Sequence, residues 1–153
     1  MGDALELVKA TPRHVGRIAS QMRAIDRAEC AAMGRTPKEA LRLGLMTSDR
    51  AVTALVHGQP AAMFGVVVQA ALTGEGLAWM LGTDEVYAHG RQLLTKGPGL
   101  IAGLGDSCRR LSNLISAGNG KAIRLLKRWG FTVDDDVMMV GGMAFLHFHM
   151  ELR

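Results

Sequence analysis

Asn119-Gly120-Lys121-Ala122-Ile123-Arg124-Leu125-Leu126-Lys127-Arg128-Trp129-Gly130-Phe131 is the stretch that decides how this chain is read. Ala122, Leu125, Leu126 and Trp129 recur at i, i+3, i+4 and i+7, the spacing of one helix face. Lys121, Arg124, Lys127 and Arg128 fall largely on the opposite side. Gly130 offers the left-handed conformation that closes a helix, and Phe131 then returns the chain to a core. The spacing predicts an amphipathic helix that leads through a Gly-Phe step into a strand.

Working outward, residues 111–116 read as a short strand before that helix. Residues 85–110 have a helical pattern interrupted by Gly97-Pro98-Gly99, with Gly103 and Gly105 as further poor helix formers. One helix kinked at 97–99 or two short helices would fit. After the helix, residues 131–133 open a strand and Asp134-Asp135-Asp136 reads as a solvated loop. Residues 143–152 then alternate strictly, with Ala144, Leu146, Phe148, Met150 and Leu152 on one face. His147, His149 and Glu151 lie on the other.

The first half reads in the same terms. Residues 4–10 form a strand. Thr11-Pro12 starts a helix that should run to about Ala32, carried by Val15, Ile18, Ala19, Met22 and Ile25. Thr36-Pro37-Lys38-Glu39 is a capping box opening a second helix to about Met46. Strands at 51–57 and 61–69 form a hairpin around Gly58-Gln59-Pro60, and a buried strand follows at 77–83. This order predicts an α/β domain over 1–153 with a mixed, mostly antiparallel central sheet and helices on both faces.

Composition narrows the function classes. The chain has 153 residues, 48% apolar and 21% charged, with a formal charge of +4. No run approaches the ~18 apolar residues of a membrane helix, and the acidic N-terminal stretch MGDALELVKA does not read as a secretory signal. A cytoplasmic protein with two free thiols, Cys30 and Cys108, is expected. One Tyr and four Phe give little material for stacking bases, which argues against nucleic-acid binding.

The element order and the 119–131 motif together resemble the GNAT acyl-CoA N-acyltransferase superfamily. There an Asn is followed three residues later by Ala and eleven later by Gly-Phe. HVGRIASQMRAIDRAE, GQPAAMFGVV and WMLGTDEV further resemble GNAT-like proteins of tailed phages, including an internal virion class. The resemblance implies fourth and fifth strands that splay apart to admit acetyl-CoA. By it, Leu81, Gly82 and Thr83 offer main-chain groups to the cofactor, Asn119 contacts it, and Lys121 and Arg124 meet its phosphates.

Two family features are missing. The pyrophosphate loop, Arg/Gln-x-x-Gly-x-Gly/Ala, uses glycines so that backbone N–H groups can close round an anion. Here the segment after the fourth strand carries Asp84 and Glu85 instead. The Tyr expected seven residues after the Asn, a proton donor to the CoA thiolate, is Leu126. The only Tyr, Tyr87, lies in another element.

The candidate catalytic groups are Glu29 and Asp84, either of which could accept a proton from an amine. Asp26 lies one helical turn before Glu29, and both acids also read as ordinary ion-pair partners of Arg23, Arg27 or Arg35. Asp84 has an equal claim as a helix N-cap. His147-x-His149 has metal-ligand spacing but reads as a half-exposed polar strand face, so no metal is expected. Two functions follow: an acetyl-CoA-dependent N-acetyltransferase acting on an amine acceptor, or a catalytically silent GNAT-like domain binding other virion proteins. The second would place the chain in the virion as well as the host cytoplasm.

Overall fold

Alternation along the third strand sets the two faces of the sheet. Ala62, Phe64 and Val66 enter one core, and Met63 between them enters the other. The computed structural model describes residues 4–152; Met1–Asp3, which open the N-terminal stretch read above, and Arg153 lie outside the described residues.

In chain order the elements are β1 (Leu5–Lys9), α1 (Val15–Ser20), α2 (Ala24–Ala32), α3 (Pro37–Thr47), β2 (Arg50–Val56), β3 (Gln59–Ala70) and β4 (Glu75–Gly82). Then come α4 (Asp84–Ala88), α5 (Gly90–Leu104), β5 (Arg110–Ser116), α6 (Gly120–Arg128), β6 (Thr132–Val140) and β7 (Met143–Glu151). The strands form one seven-stranded sheet in the order β1-β2-β3-β4-β5-β7-β6. All neighbours are antiparallel except β4 and β5.

Helices cover both faces, as the sequence predicts. Val15, Ile18 and Ala19 of α1, Cys30 of α2 and Leu41 of α3 pack with Met63 on one face. Leu93, Leu100, Ile101 and Leu104 of α5 pack with Ala122 and Leu125 of α6 on the other. The α5–α6 contact is close at Gly97, where an added Cβ would overlap the Trp129 indole. The Thr36 capping box forms as read, with Glu39 N–H donating to Thr36 Oγ1 and Thr36 N–H to Glu39 Oε1.

Four local readings are corrected. The helix expected from Thr11 to Ala32 breaks at Gln21–Arg23 after a 3-10 turn at Pro12–His14. Arg23 N–H donates to Gly82 O at 2.9 Å and Met22 bridges Thr83, so the break gives the end of β4 a partner. α5 runs through Pro98, which lies exposed on the helix, so the chain does not break at 97–99. The hairpin turn is His57-Gly58, both at positive φ, and not 58–60. Asp134–Asp136 belong to β6 as a bulge: Val133 pairs with Phe148 and Val137 with Leu146.

Candidate functional site

β4 and β5 pair only at Glu75–Arg110, Gly76–Leu111 and Leu77–Ser112. Beyond that the two strands diverge, with the Asn113 side chain reaching across to donate to Ala78 O at 2.9 Å. A cavity of about 430 Å³ occupies the opening and passes through the sheet. On the α2–α3 side Trp79 and Leu81 line it; on the α5–α6 side Met80, Tyr87, Leu125 and Trp129 do. Gly44 and Gly65 make the slot for Trp79, since a Cβ on either would come within 2.6 Å of the indole. Trp79 Nε1 donates to Ser48 Oγ at 2.7 Å, which fixes the ring.

Strand alternation decides which main-chain groups face the opening. Ala78 O accepts from Asn113, and Gly82 N–H donates to Asp26 Oδ2 at 2.9 Å. Met80, midway between them, turns its own N–H and C=O the same way. Gly82 is therefore on the gap side, but Asp26 and Arg23 already hold its amide and carbonyl. Thr83 turns toward β3, with both its N–H and Oγ1 donating to Ala61 O. Leu81 pairs with Met63 of β3 and contributes its side chain to the cavity wall. Sequence reading missed Met80 because a shift of one residue in a strand reverses its direction.

The deep end of the opening is polar. Asn119 is the N-cap of α6, its Oδ1 accepting from Ala122 N–H at 3.4 Å. The same residue, 2% exposed, donates to Glu29 Oε1 at 3.0 Å and accepts from Arg23 Nη1 at 3.2 Å. Arg23 Nη1 also donates to Asp26 Oδ1 at 3.2 Å, and its guanidinium lies over the Tyr87 ring, 4.3 Å from the centroid. Ser116 N–H donates to Glu29 Oε1 at 3.2 Å. Four side chains, from α2, the N-cap of α6 and the break before α2, thus bond one another across the ends of β4 and β5, with Arg23 Nε left without a hydrogen-bond partner.

Burial governs the ionisation of this cluster. It pushes the Glu29 carboxyl up to about 7, with the Asp26 charge adding to the rise against hydrogen bonds from Asn119 and Ser116. Asp26 is raised for the same first reason, opposed by its bond from Gly82 N–H and by Arg23. Cys30, beside these acids, is raised to about 11 and stays a thiol. Tyr87 is also held upward by burial, and its hydroxyl contacts Met80 Sδ at 3.9 Å inside the cavity.

The other candidates lie outside this cluster. The Asp84 side chain is 85% exposed and sits 3.6 Å from Arg23 Nε, at the start of α4. The N-cap of α4 is Thr83, and Asp84 is the first residue of the helix, which corrects its reading as the cap. Glu85 pairs with Arg17 at 3.7 Å. Lys121 and Arg124 are exposed in the first turn and middle of α6, with Arg124 Nη1 folded near Gly120. Leu126 lines the cavity at the place of the expected Tyr. Tyr87 enters from α4 instead, a juxtaposition that only the tertiary fold reveals.

No family model and no curated protein sequence matches the chain. Solved structures do. A GNAT-family acetyltransferase from Bacillus anthracis superposes with a TM-score of 0.69 at 7% identity, over 99% of this chain and 96% of the other. AAC(6')-Ib, solved with Parmomycin and acetyl-CoA, gives 0.68 at 14% identity over 98% and 94%.

The fold is the GNAT fold. The ribosomal L7/L12 α-N-protein acetyltransferase RimL, solved with coenzyme A, matches it at 0.67 and 11% identity over 98% and 95%. At these identities the likeness is one of backbone architecture. Within the GNAT fold of this chain, the divergence of β4 from β5 is the cavity just described. No helix among the described residues is long and apolar enough to cross a membrane.

Proposed function

We propose that the chain is an acetyl-CoA-dependent N-acetyltransferase acting on an amine, with Glu29 as the proton acceptor. One observation carries this reading: the apolar opening between β4 and β5 ends on a carboxyl group raised to about 7. A base poised near neutrality is ionised at working pH and basic enough to accept the proton that the amine sheds as it attacks. Structures of the same fold have been solved with acetyl-CoA or coenzyme A, and one with Parmomycin as well, which supports both partners.

In this reading the acetyl-pantetheine arm lies along Met80, whose main-chain N–H and C=O serve it as a neighbouring strand would. Leu81 contributes wall, and Gly82 and Thr83 contribute by fixing the end of β4. Asn119 acts by holding Glu29. Lys121 and Arg124 attract the phosphates from the α6 surface, because no glycine loop cradles them and Asp84 and Glu85 oppose an anion. The amine nitrogen bonds to the thioester carbonyl carbon, the C–S bond breaks, and Glu29 receives the amine proton. Tyr87, kept protonated by burial, gives its proton to the departing thiolate and recovers one from solvent. Asp84, exposed and paired with Arg23, borders the mouth and touches no reacting atom.

The second reading keeps the fold without the chemistry: a phage-encoded, virion-associated domain that acts through protein contacts. Acids at the place of the phosphate loop favour it, as do Val137, Met138 and Met139, exposed together on the edge strand β6. Calorimetry with acetyl-CoA separates the two. Saturable binding that weakens in Leu125→Trp, which fills the cavity, supports the enzyme. Absence of heat at millimolar cofactor overturns it.

A further inference from the structure

Asp134, His147 and His149 stand apart from the cavity, on the β6–β7 pair at the edge of the sheet. His147 Nδ1 lies 3.2 Å from Asp134 Oδ2, and His149 Nε2 lies 3.2 Å from Asp134 Oδ1. One ligand atom from each of the three falls within 4.8 Å of the others. We propose that these three side chains form a binding site for one divalent transition-metal ion of the zinc, cobalt or nickel type.

Three physical features converge on it. The first is the donor set: two imidazoles and one carboxylate suit borderline metals, whereas calcium and magnesium take oxygen ligands. The second is geometry. At metal–ligand distances of about 2.0–2.2 Å, neighbouring tetrahedral ligand atoms stand roughly 3.3 Å apart. Each imidazole nitrogen already stands 3.2 Å from an oxygen of Asp134, and the rings lie side by side, 5.3 Å between centroids and 23° from parallel, so an ion would draw the two nitrogens in from within 4.8 Å. The third is how the chain aims them. His147 and His149 share one face of β7, two residues apart, and Thr132 pairs with His149. Asp134, the first residue of the bulge and so outside the ladder, follows that register onto the histidine face, where it meets both imidazoles.

Local charge favours a cation. Asp135 and Asp136 are exposed beside Asp134, while Arg110, on the strand that pairs with β7, is engaged by Glu151 at 3.0 Å. His147, His149 and Asp134 are partly exposed, at 37%, 25% and 42% of their side-chain surface, so an ion can enter from solvent. Three protein ligands leave at least one coordination position for water, the arrangement of an open site. Bound there, the ion ties the bulged strand to β7 and stabilises the edge of the sheet by mass action.

The test uses the full chain stripped with a chelator and then titrated with zinc chloride by calorimetry and with cobalt chloride by visible absorption. The expected result is one zinc per chain, a cobalt d–d spectrum bearing nitrogen ligation, and a rise in Tm with zinc. His147→Ala, His149→Ala and Asp134→Asn should each weaken zinc at least about tenfold, as expected when one of three ligands is lost. Circular dichroism should show these variants folded. His57→Ala, which removes a member of the His57–His89 ring pair, should bind normally. Absence of binding at millimolar zinc overturns the proposal. So does binding that survives His147→Ala/His149→Ala, or that is lost in His57→Ala.

Discussion

Asn119 Nδ2 donates to Glu29 Oε1 at 3.0 Å across ninety positions of sequence, while Asn119 Oδ1 caps α6. One amide therefore fixes the start of a helix and the orientation of the carboxyl group that ends the cavity. Replacing Asn119 by Ala removes the cap and leaves Glu29 and Arg23 each short of a buried partner. The expected loss is about 2–4 kcal/mol in urea unfolding, from about 1 for the cap and the rest for unpaired polar groups. A loss below about 1 kcal/mol would show that the network relaxes freely.

Glu29 should make stability depend on pH. Its folded carboxyl titrates near 7 against an ordinary value of 4.5, so between these the folded protein binds more protons than the unfolded chain. Stability therefore falls as pH rises from about 4.5 to about 7, by roughly 3 kcal/mol at most if this group acted alone. Glu29→Gln keeps an oxygen for Asn119 and Ser116 and should flatten that segment of the curve. The check is a set of unfolding curves between pH 4 and 8 on both proteins. Equal slopes would remove Glu29 as the cause.

The same titration should appear in catalysis. The rate of acetyl transfer at low substrate should rise through about pH 7 as Glu29 ionises. Glu29→Gln should cost about 10²–10⁴-fold and lose that limb of the profile. Asp84→Asn, at the exposed mouth, should keep the limb. A pH profile shared by Glu29→Gln and the parent would assign the base elsewhere.

Tyr87→Phe isolates the hydroxyl. The ring under the Arg23 guanidinium stays, so stability should change by less than about 0.5 kcal/mol. If the hydroxyl protonates the thiolate, kcat should fall about 10²-fold with little change in KM. The loss should shrink with a thioester whose leaving thiol is more acidic. An equal loss with both thioesters would make Tyr87 a positioning residue only.

Helix α5 offers a test of packing against propensity. Gly→Ala inside a helix gains about 1 kcal/mol where space allows. Gly99 and Gly103 have nothing within 4 Å of a new Cβ, so Gly99→Ala and Gly103→Ala should each stabilise by up to that amount. At Gly97 the new methyl would overlap Trp129, and overpacking of 1–3 kcal/mol should win. Gly97→Ala should therefore destabilise and shift Trp129 fluorescence. Stabilisation at Gly97 would mean that α5 and α6 slide apart at little cost.

What the sequence made legible was whatever is encoded within a few residues. The Thr36–Glu39 box and the α6 stripe are local patterns that formed as read, and β7 formed as a strand, although Phe145 on its histidine face is buried. What it hid depends on distant partners. The break at Gln21–Arg23 exists because the end of β4 needs a hydrogen-bonding neighbour, and nothing near Gln21 announces that. Three consecutive Asp residues look like a loop until β7 supplies the ladder that makes them a bulge. Glu29 was visible as a candidate, but its burial beside Asp26 and Asn119 was not. Tyr87 was discounted for standing in the wrong element, although α4 carries it into the cavity.

The short pairing between β4 and β5 has a further consequence. Everything from β1 to α5 precedes that seam in the chain, and everything from β5 to β7 follows it. Within the sheet these two contiguous pieces are joined by only three rungs and one side-chain bridge, with the Asn119 hydrogen bonds to Glu29 and Arg23 and the α5–α6 packing closing the cavity along their join. A ligand seated there would act as mortar, and separating the pieces would become dearer in proportion to its affinity. Cutting the backbone between Leu104 and Arg110 should yield fragments that reassemble, and a cavity ligand should tighten their association.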